Sequence, residues 1–354
     1  MLRRSLIAAT ALVALLAPVA VRADHLGFEC YDDGDAVYEI PENPWGITGK
    51  YALPASEPGA IATFAHGYGH TTDSWVEHLR AAAAEGALAF ATDYRGTWID
   101  EDEDVRGWFV REGADDSIVI AQAFMMLCHD LQTSIILGVS MGGNASGLAV
   151  AAGQTKPDGS PLFDYWIAAE PAANVIETYL EAAVVEPAVP FAAKAKADIE
   201  AQHGGTLWEQ PASYAEGTIV LRSDDIVASG VQGVAVIHGF DDGLVPYNQG
   251  RELATVLRAN GLPTDFYNAA RRETDGTPEG SDNTTLTENA ARPLLEAAGQ
   301  AYTEPLAGHG TESSQTHIVI RTAFEILFDL LRGEAVPANR EFVVDGEAGT
   351  IPIP

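Results

Sequence analysis

The sequence predicts an α/β protein: a mostly parallel central sheet flanked by helices, with a helical cap inserted between two late strands. Three observations lead there. Short apolar runs without polar alternation, such as Ala60–Ala65, Ala87–Thr92, Ser134–Gly138 and Val234–Ile237, mark strands buried on both faces. Helix-compatible stretches separate them, as crossovers between parallel strands require. One connection, Pro171–Gly230, is Ala/Glu-rich, helical in pattern and far longer than a crossover needs, which makes it the cap.

The chain opens with a stretch built like a secretory signal. Arg3 and Arg4 precede an apolar run from Ser5 to Val21 that is broken at Pro18, and Val21 and Ala23 are small residues placed for cleavage. The run is short for a membrane span and no second one follows, so an exported protein, secreted or periplasmic, is expected. The 354 residues carry a formal charge of −31, and cleavage after Ala23 would remove three arginines and no acid. Such a surface argues against nucleic acid as a partner, since binding a polyanion needs a basic face. The acids are spread along the chain, which fits adaptation to concentrated salt and equally an acidic proteome. Cys30 and Cys128 are the two cysteines; an oxidising compartment permits one disulfide, and two buried free thiols are the alternative.

In order, residues 24–59 hold short strand-like pieces punctuated by Pro41, Pro44, Gly46 and Pro54, an antiparallel start to a sheet. Strand Ala60–Ala65 runs into His66-Gly67-Tyr68-Gly69-His70, a helix follows over Ser74–Ala84, and strand Ala87–Thr92 ends in Asp93-Tyr94-Arg95-Gly96. A loop then carries the acidic run Asp100–Asp104. It lacks the glycine and ligand alternation of a calcium loop and is read as solvated. A helix over about Asp115–Cys128, strand Ser134–Gly138 and helix Gly142–Ala152 follow. Phe163–Ala169 and Val231–His238 are the strands on either side of the cap. Helix Tyr247–Asn260 is closed by Gly261, and strand Thr264–Asn268 comes next. A loop at Arg271–Asp282 and a helix at Glu288–Ala298 form a second insertion. Strand-like Ala301–Leu306, the loop Ala307–Ser313 and an amphipathic helix through about Leu331 end the core. The expected division is a signal at 1–23, a core in two parts at 24–170 and 231–341, the cap at 171–230 and an extended tail at 342–354.

The chemistry centres on Gly138-Val139-Ser140-Met141-Gly142. A serine on a sharp strand-to-helix turn needs neighbours without bulk at −2 and +2, and the N–H of the next residue, Met141, is then placed to meet an oxyanion. A nucleophilic serine needs a base and a carboxylate to orient it. Asp241 and Asp242 follow strand Val234–Ile237, at the strand end where open α/β sheets place their sites, and His309 sits between Gly308 and Gly310 after the last strand.

These pieces resemble, in order, the motifs of the α/β-hydrolase superfamily, over about Tyr51 to Leu331. His66-Gly67-Tyr68 is similar to its oxyanion loop, Gly138–Gly142 to its nucleophile elbow, Asp242-Gly243-Leu244-Val245-Pro246 to its acid loop and Gly308-His309 to its histidine loop. The resemblance implies Ser140 as nucleophile, His309 as base, Asp242 as acid, and the N–H groups of Tyr68 and Met141 as the oxyanion hole. It implies a serine hydrolase, first an esterase or lipase acting on small-molecule esters. A peptidase of the prolyl-oligopeptidase type, or a catalytically silent binding protein on the same fold, are the rivals. The departure from the family's pattern is the 67-position interval from Asp242 to His309, lengthened by the second insertion. Asp241 is the rival acid and His317 the rival base, whereas His66 is read as structural. His70, Phe191 and Trp208 are expected to line the substrate pocket. No zinc or dinucleotide motif is present, so neither a metal nor a cofactor is expected.

Overall fold

The computed structural model describes residues 29–32, 36–270, 292–294, 296–299, 306–345 and 349–353. The expected signal, the loop at 271–282, positions 288–291 and 295 of the second-insertion helix and the strand-like stretch at 301–305 lie outside them. The strands are Val37–Glu39 (β1), Thr48–Ala52 (β2), Ala60–Ala65 (β3), Ala87–Asp93 (β4), Trp98–Ile99 (β5), Val105–Arg106 (β6), Thr133–Val139 (β7), Tyr165–Ala169 (β8), Gly233–Gly239 (β9), Thr264–Ala269 (β10), Glu341–Asp345 (β11) and Gly349–Ile353 (β12). Among the described residues, one ten-stranded sheet runs β1-β2-β4-β3-β7-β8-β9-β10-β11-β12, and β5 and β6 form a separate hairpin. From β4 through β11 neighbouring strands are parallel; β1, β2 and β12 are antiparallel to their neighbours.

The apolar runs serve both faces, which is why they show no polar alternation. In β9, Val234 and Val236 join one core while Ala235 and Ile237 join the other. Helices Val110–Leu127 (α2), Met141–Ala151 (α3) and Tyr247–Ala259 (α8) fill the first side, and Val76–Ala84 (α1) and Ile318–Arg332 (α9) fill the second. Helix α2 begins five residues before the expected Asp115. Gly113 lets that first turn close onto Tyr94, whose ring a Cβ would meet at 2.6 Å. Between β8 and β9 lie the helices Val175–Val185 (α4), Pro190–His203 (α5), Pro211–Gly217 (α6) and Ser223–Ala228 (α7).

Two expectations change. The segment from 342 is not a free tail: Val343 and Val344 are buried and the segment adds β11, parallel to β10, with β12 folded back on it. The acidic run is not merely solvated, because Asp100–Asp104 forms the turn of the β5–β6 hairpin and is docked against the cap. The cysteine question closes as well: Cys30 and Cys128 form a disulfide, with Cα atoms 5.8 Å apart, tying the N-terminal segment to the end of α2. Among the described residues, no helix is long and apolar enough to cross a membrane.

Candidate active site

Ser140 is the last residue between β7 and α3, and its backbone sits at φ 57°, ψ −122°, a region non-glycine residues rarely adopt. The turn is fixed from three sides: Ser140 donates its N–H to Ala169 O at 2.9 Å, and its own carbonyl accepts from Gly143 and Ala172, each at 3.0 Å. The glycines are demanded by close approach. A Cβ at Gly138 would run into the Gly142 carbonyl, and one at Gly142 into the Ala65 carbonyl. Met141, as the first residue of α3, has no carbonyl one turn back to receive its N–H.

His309 and Asp242 meet. His309 Nδ1 lies 2.7 Å from Asp242 Oδ2, so Nδ1–H donates to the carboxylate and Nε2 is left as the basic nitrogen. Asp242 is held on every side: Oδ1 accepts the N–H groups of Leu244 at 2.9 Å and Val245 at 2.8 Å, and Oδ2 also lies 3.2 Å from Nε2 of the fully buried His238. Burial opposes its charge, but His309 and His238 outweigh burial and hold the carboxyl well below the usual carboxylate range. Burial likewise opposes a cation on His309, yet the Asp242 and Glu170 carboxylates outweigh it and push the imidazole up. The rivals are placed elsewhere. The Asp241 backbone N–H donates to Ala307 O at 2.7 Å while His309 takes the neighbouring Asp242 carboxylate, and His317 caps α9 by accepting from Val319 N–H at 3.3 Å. His66 stacks on Tyr94 at 4.0 Å and bonds the Gly67 carbonyl, a structural histidine as expected.

Ser140 and His309 open onto one cavity of about 840 Å³ between the sheet edge and the cap. Tyr68 and His70 line its floor beside the β5–β6 hairpin and Trp108, and Leu244, Val245 and Pro246 line a second side. From the cap come Thr178, Glu181, Ala182 and Val185, one face of α4 at helical spacing, followed by Val189 and Phe191. Phe191 meets the Tyr68 ring edge-on at 5.4 Å. Trp208 is a correction: it is 77% exposed and outside the cavity, because the neighbouring buried positions are taken by Leu207 and by Tyr214, which stacks on His203.

Three carboxyls here were missed from sequence. Glu170, the residue after β8, is fully buried at φ 48°. Its Oε2 accepts the Gly310 N–H at 2.7 Å and lies 3.4 Å from His309 Nδ1. Burial, together with the Asp242 charge and only partly offset by His309, pushes this carboxyl up to about 8. The signal available was its place, a charged residue at the carboxyl end of an apolar parallel strand. Glu312, also buried, accepts the Gly67 N–H and has Oε2 3.5 Å from His70 Nε2. Glu181 lines the cavity, and burial with the charges of Glu177 and Asp242 pushes it up to about 8.

The cap is fastened to the core by charge. Arg106 Nε and Nη2 each reach Asp198 of α5 at 2.9 Å, and Asp198 Oδ2 also accepts the Tyr68 hydroxyl at 2.6 Å. The Lys194 ammonium sits among Asp100, Asp102 and Asp104 at 2.6–3.1 Å, in the place a bound cation would take. Glu170, Asp242 and His309 also bring three donor atoms within 4.8 Å of one another, but the His309 Nδ1–H bond to Asp242 already occupies two of those atoms.

No protein-family model and no curated protein matches the sequence. Solved structures do. A puromycin-hydrolyzing peptidase of Mycobacterium tuberculosis aligns over 92% of this chain and 43% of its own, at 15% identity and a TM-score of 0.51. An acylaminoacyl peptidase of Pyrococcus horikoshii aligns over 79% and 44%, at 14% identity and TM-score 0.49, and an esterase of Pyrobaculum calidifontis over 92% and 93%, at 16% and 0.46. The chain thus spans less than half the length of the two peptidases. At 15% identity the likeness to the Mycobacterium tuberculosis peptidase is one of fold, and the mostly parallel sheet and the strand-to-helix turn at Ser140 fit the α/β-hydrolase fold.

Proposed function

We propose that the protein is a serine hydrolase that cleaves carboxylic esters by acyl transfer. One observation carries this: a serine at a strained strand-to-helix turn and a histidine already oriented by a buried carboxylate open onto the same cavity. Ser140 Oγ attacks the ester carbonyl as His309 Nε2 takes its proton, and Asp242 stabilises the imidazolium that forms. The N–H groups of Tyr68 and Met141 receive the oxyanion. Collapse expels the alcohol with the proton from His309, leaving an acyl-enzyme. Water then repeats the sequence, releasing the acid and restoring Ser140. No metal or cofactor takes part in these steps.

The apolar cap residues suit a compact acyl group, and the disulfide fits the exported location that the N-terminal segment implies. The formal charge of −31 disfavours anionic substrates, most at low salt, and the buried Glu312 on the lining adds to this. Labelling by a fluorophosphonate, followed by p-nitrophenyl esters of neutral and acidic acyl groups set against peptide anilides, tests the proposal. Ser140-dependent labelling and faster turnover of neutral short-to-medium esters are expected. Faster cleavage of anilides would make the protein a peptidase, and absence of labelling would leave a binding protein.

A further inference from the structure

The acyl-transfer scheme gives no task to Glu170, a fully buried carboxyl beside His309. Yet that side chain is deliberately housed. It stands on a non-glycine residue in the left-handed region, a conformation that persists only where the surroundings enforce it. Room for its carboxyl depends on Gly239: a Cβ there would fall 3.0 Å from Glu170 Oε1 and 2.6 Å from the Gly308 carbonyl. Its Oε2 then lies 3.4 Å from the nitrogen, His309 Nδ1, that Asp242 Oδ2 meets at 2.7 Å.

The geometry points to Glu170 as a second acid of His309, a positioning carboxyl held beside Nδ1 that supports the imidazolium when Asp242 is not charged. This rests on the serine-hydrolase reading and deepens it. Two carboxyls at one imidazole share their protons as a unit, and the one with more donors keeps the charge. Asp242 has two backbone N–H groups and two imidazoles; Glu170 has the Gly310 N–H and the longer approach to Nδ1. Asp242 is therefore the ionised partner and Glu170 the protonated one, in line with the direction in which burial moves it. The titratable groups facing the pair are His309 and Asp242 themselves, Glu312 from the histidine loop, His70 from the loop after β3, His238 from β9 and Glu181 from the cap. Burial is the larger obstacle to ionising Glu170 and the Asp242 charge the second; removing that charge leaves burial opposed by the His309 cation. The Glu170 proton then leaves to solvent, and Oε2 becomes the acceptor for Nδ1–H.

The test compares Asp242→Asn, Glu170→Gln, the double variant and Ser140→Ala in the full chain, by kcat/KM on p-nitrophenyl butyrate and by 15N-histidine NMR titration of His309. Where a catalytic histidine loses its sole acid, turnover falls about 10⁴-fold. Here Asp242→Asn is expected to fall only about 10–100-fold and Glu170→Gln less than about tenfold, while the double variant drops to the Ser140→Ala level, far below the product of the singles. The imidazole pKa should fall in Asp242→Asn, change little in Glu170→Gln, and fall furthest in the double variant. Glu170→Asp in the Asp242→Asn background should retain part of the activity and keeps the test open if Glu170→Gln misfolds. Asp242→Asn already at the Ser140→Ala level, with His309 titrating alike in Asp242→Asn and the double variant, would overturn the assignment. If Ser140→Ala is itself fully active, it is the hydrolase reading that fails, and the NMR titration still decides the Glu170–His309 coupling.

Discussion

The two walls of the cavity are built by different forces. On the sheet side, Ser140, Asp242 and His309 are at most 9% exposed and are fixed by short hydrogen bonds, to backbone atoms or to one another, at strand ends and a helix start. On the cap side, Val189 and Phe191 remain more than 40% exposed, and the fastening is ionic: the largely buried Arg106–Asp198 pair and an outer cluster with partners as open as Asp102 and Asp104. The first wall resists solvent conditions, because buried bonds in low dielectric are little screened. The second responds to them. The proposed chemistry thus sits on the rigid face and the proposed selection on the face whose outer ion pairs salt can loosen.

The sharpest way to break this contrast is to remove chemistry without touching structure. Ser140→Ala and His309→Ala should each lower kcat/KM by at least about 10⁴-fold, because members of one catalytic unit fail together. Ser140→Ala should leave Tm within about 2 °C, since alanine at φ 57° is strained as serine is and opens no large cavity. Either variant keeping more than about 1% of activity, with contamination excluded, would dissolve the distinction between the walls.

How far the sequence carried follows from the range of each interaction. The elbow was legible because Gly138 and Gly142 are required by contacts that any serine on such a turn makes. Asp242 was separable from Asp241 through its register to Val245-Pro246, and Val245 does donate its N–H to Asp242. The core strands were legible because burial on both faces removes polar residues from the run itself. The short β5–β6 pairing was not, since charged hairpins carry no such pattern, and the partner of Asp100–Asp104 is a lysine ninety residues away. Glu170 was invisible for a related reason: its meaning comes from Gly310, 140 residues on. The expected tail became strands β11 and β12 because a β10 edge was open to pair with it, which the chain's local pattern does not state.

A middle-sized effect sharpens the cap side. Arg106 makes three of the bonds that tie α5 and the hairpin together, two to Asp198 and one to the Lys194 carbonyl, and Asp198, its buried partner, also holds the Tyr68 hydroxyl. Arg106→Met leaves that carboxylate without its cation and should cost about 2 kcal/mol, read as a lower Tm. Because Tyr68 belongs to the proposed oxyanion loop, kcat should fall together with a rise in KM. Lys194→Met is the gentler change. Its carboxylate partners are exposed or screened, so KM should shift by less than about threefold at low salt, and the salt dependence of KM should flatten. Equal salt dependence in Lys194→Met and wild type would show that the cap is not held by this cluster.

The smallest expected effect separates two aromatic residues of the same cap. Phe191 touches Tyr68 and lines the cavity, whereas Trp208 is directed to solvent. Replacing Phe191 by alanine removes apolar wall beside the acyl position. Each methylene that gains or loses such contact is worth about 0.8 kcal/mol, or roughly a factor of four in kcat/KM. The ratio of hexanoate to butyrate turnover should therefore rise about three- to tenfold in Phe191→Ala, through better use of the space by the longer chain. Trp208→Ala should leave the ratio within twofold, because the indole has no part in that space. A Trp208→Ala shift as large as that of Phe191→Ala would mean that the tryptophan swings inward when substrate binds, and the exposed side of the cap would then belong to the selecting wall.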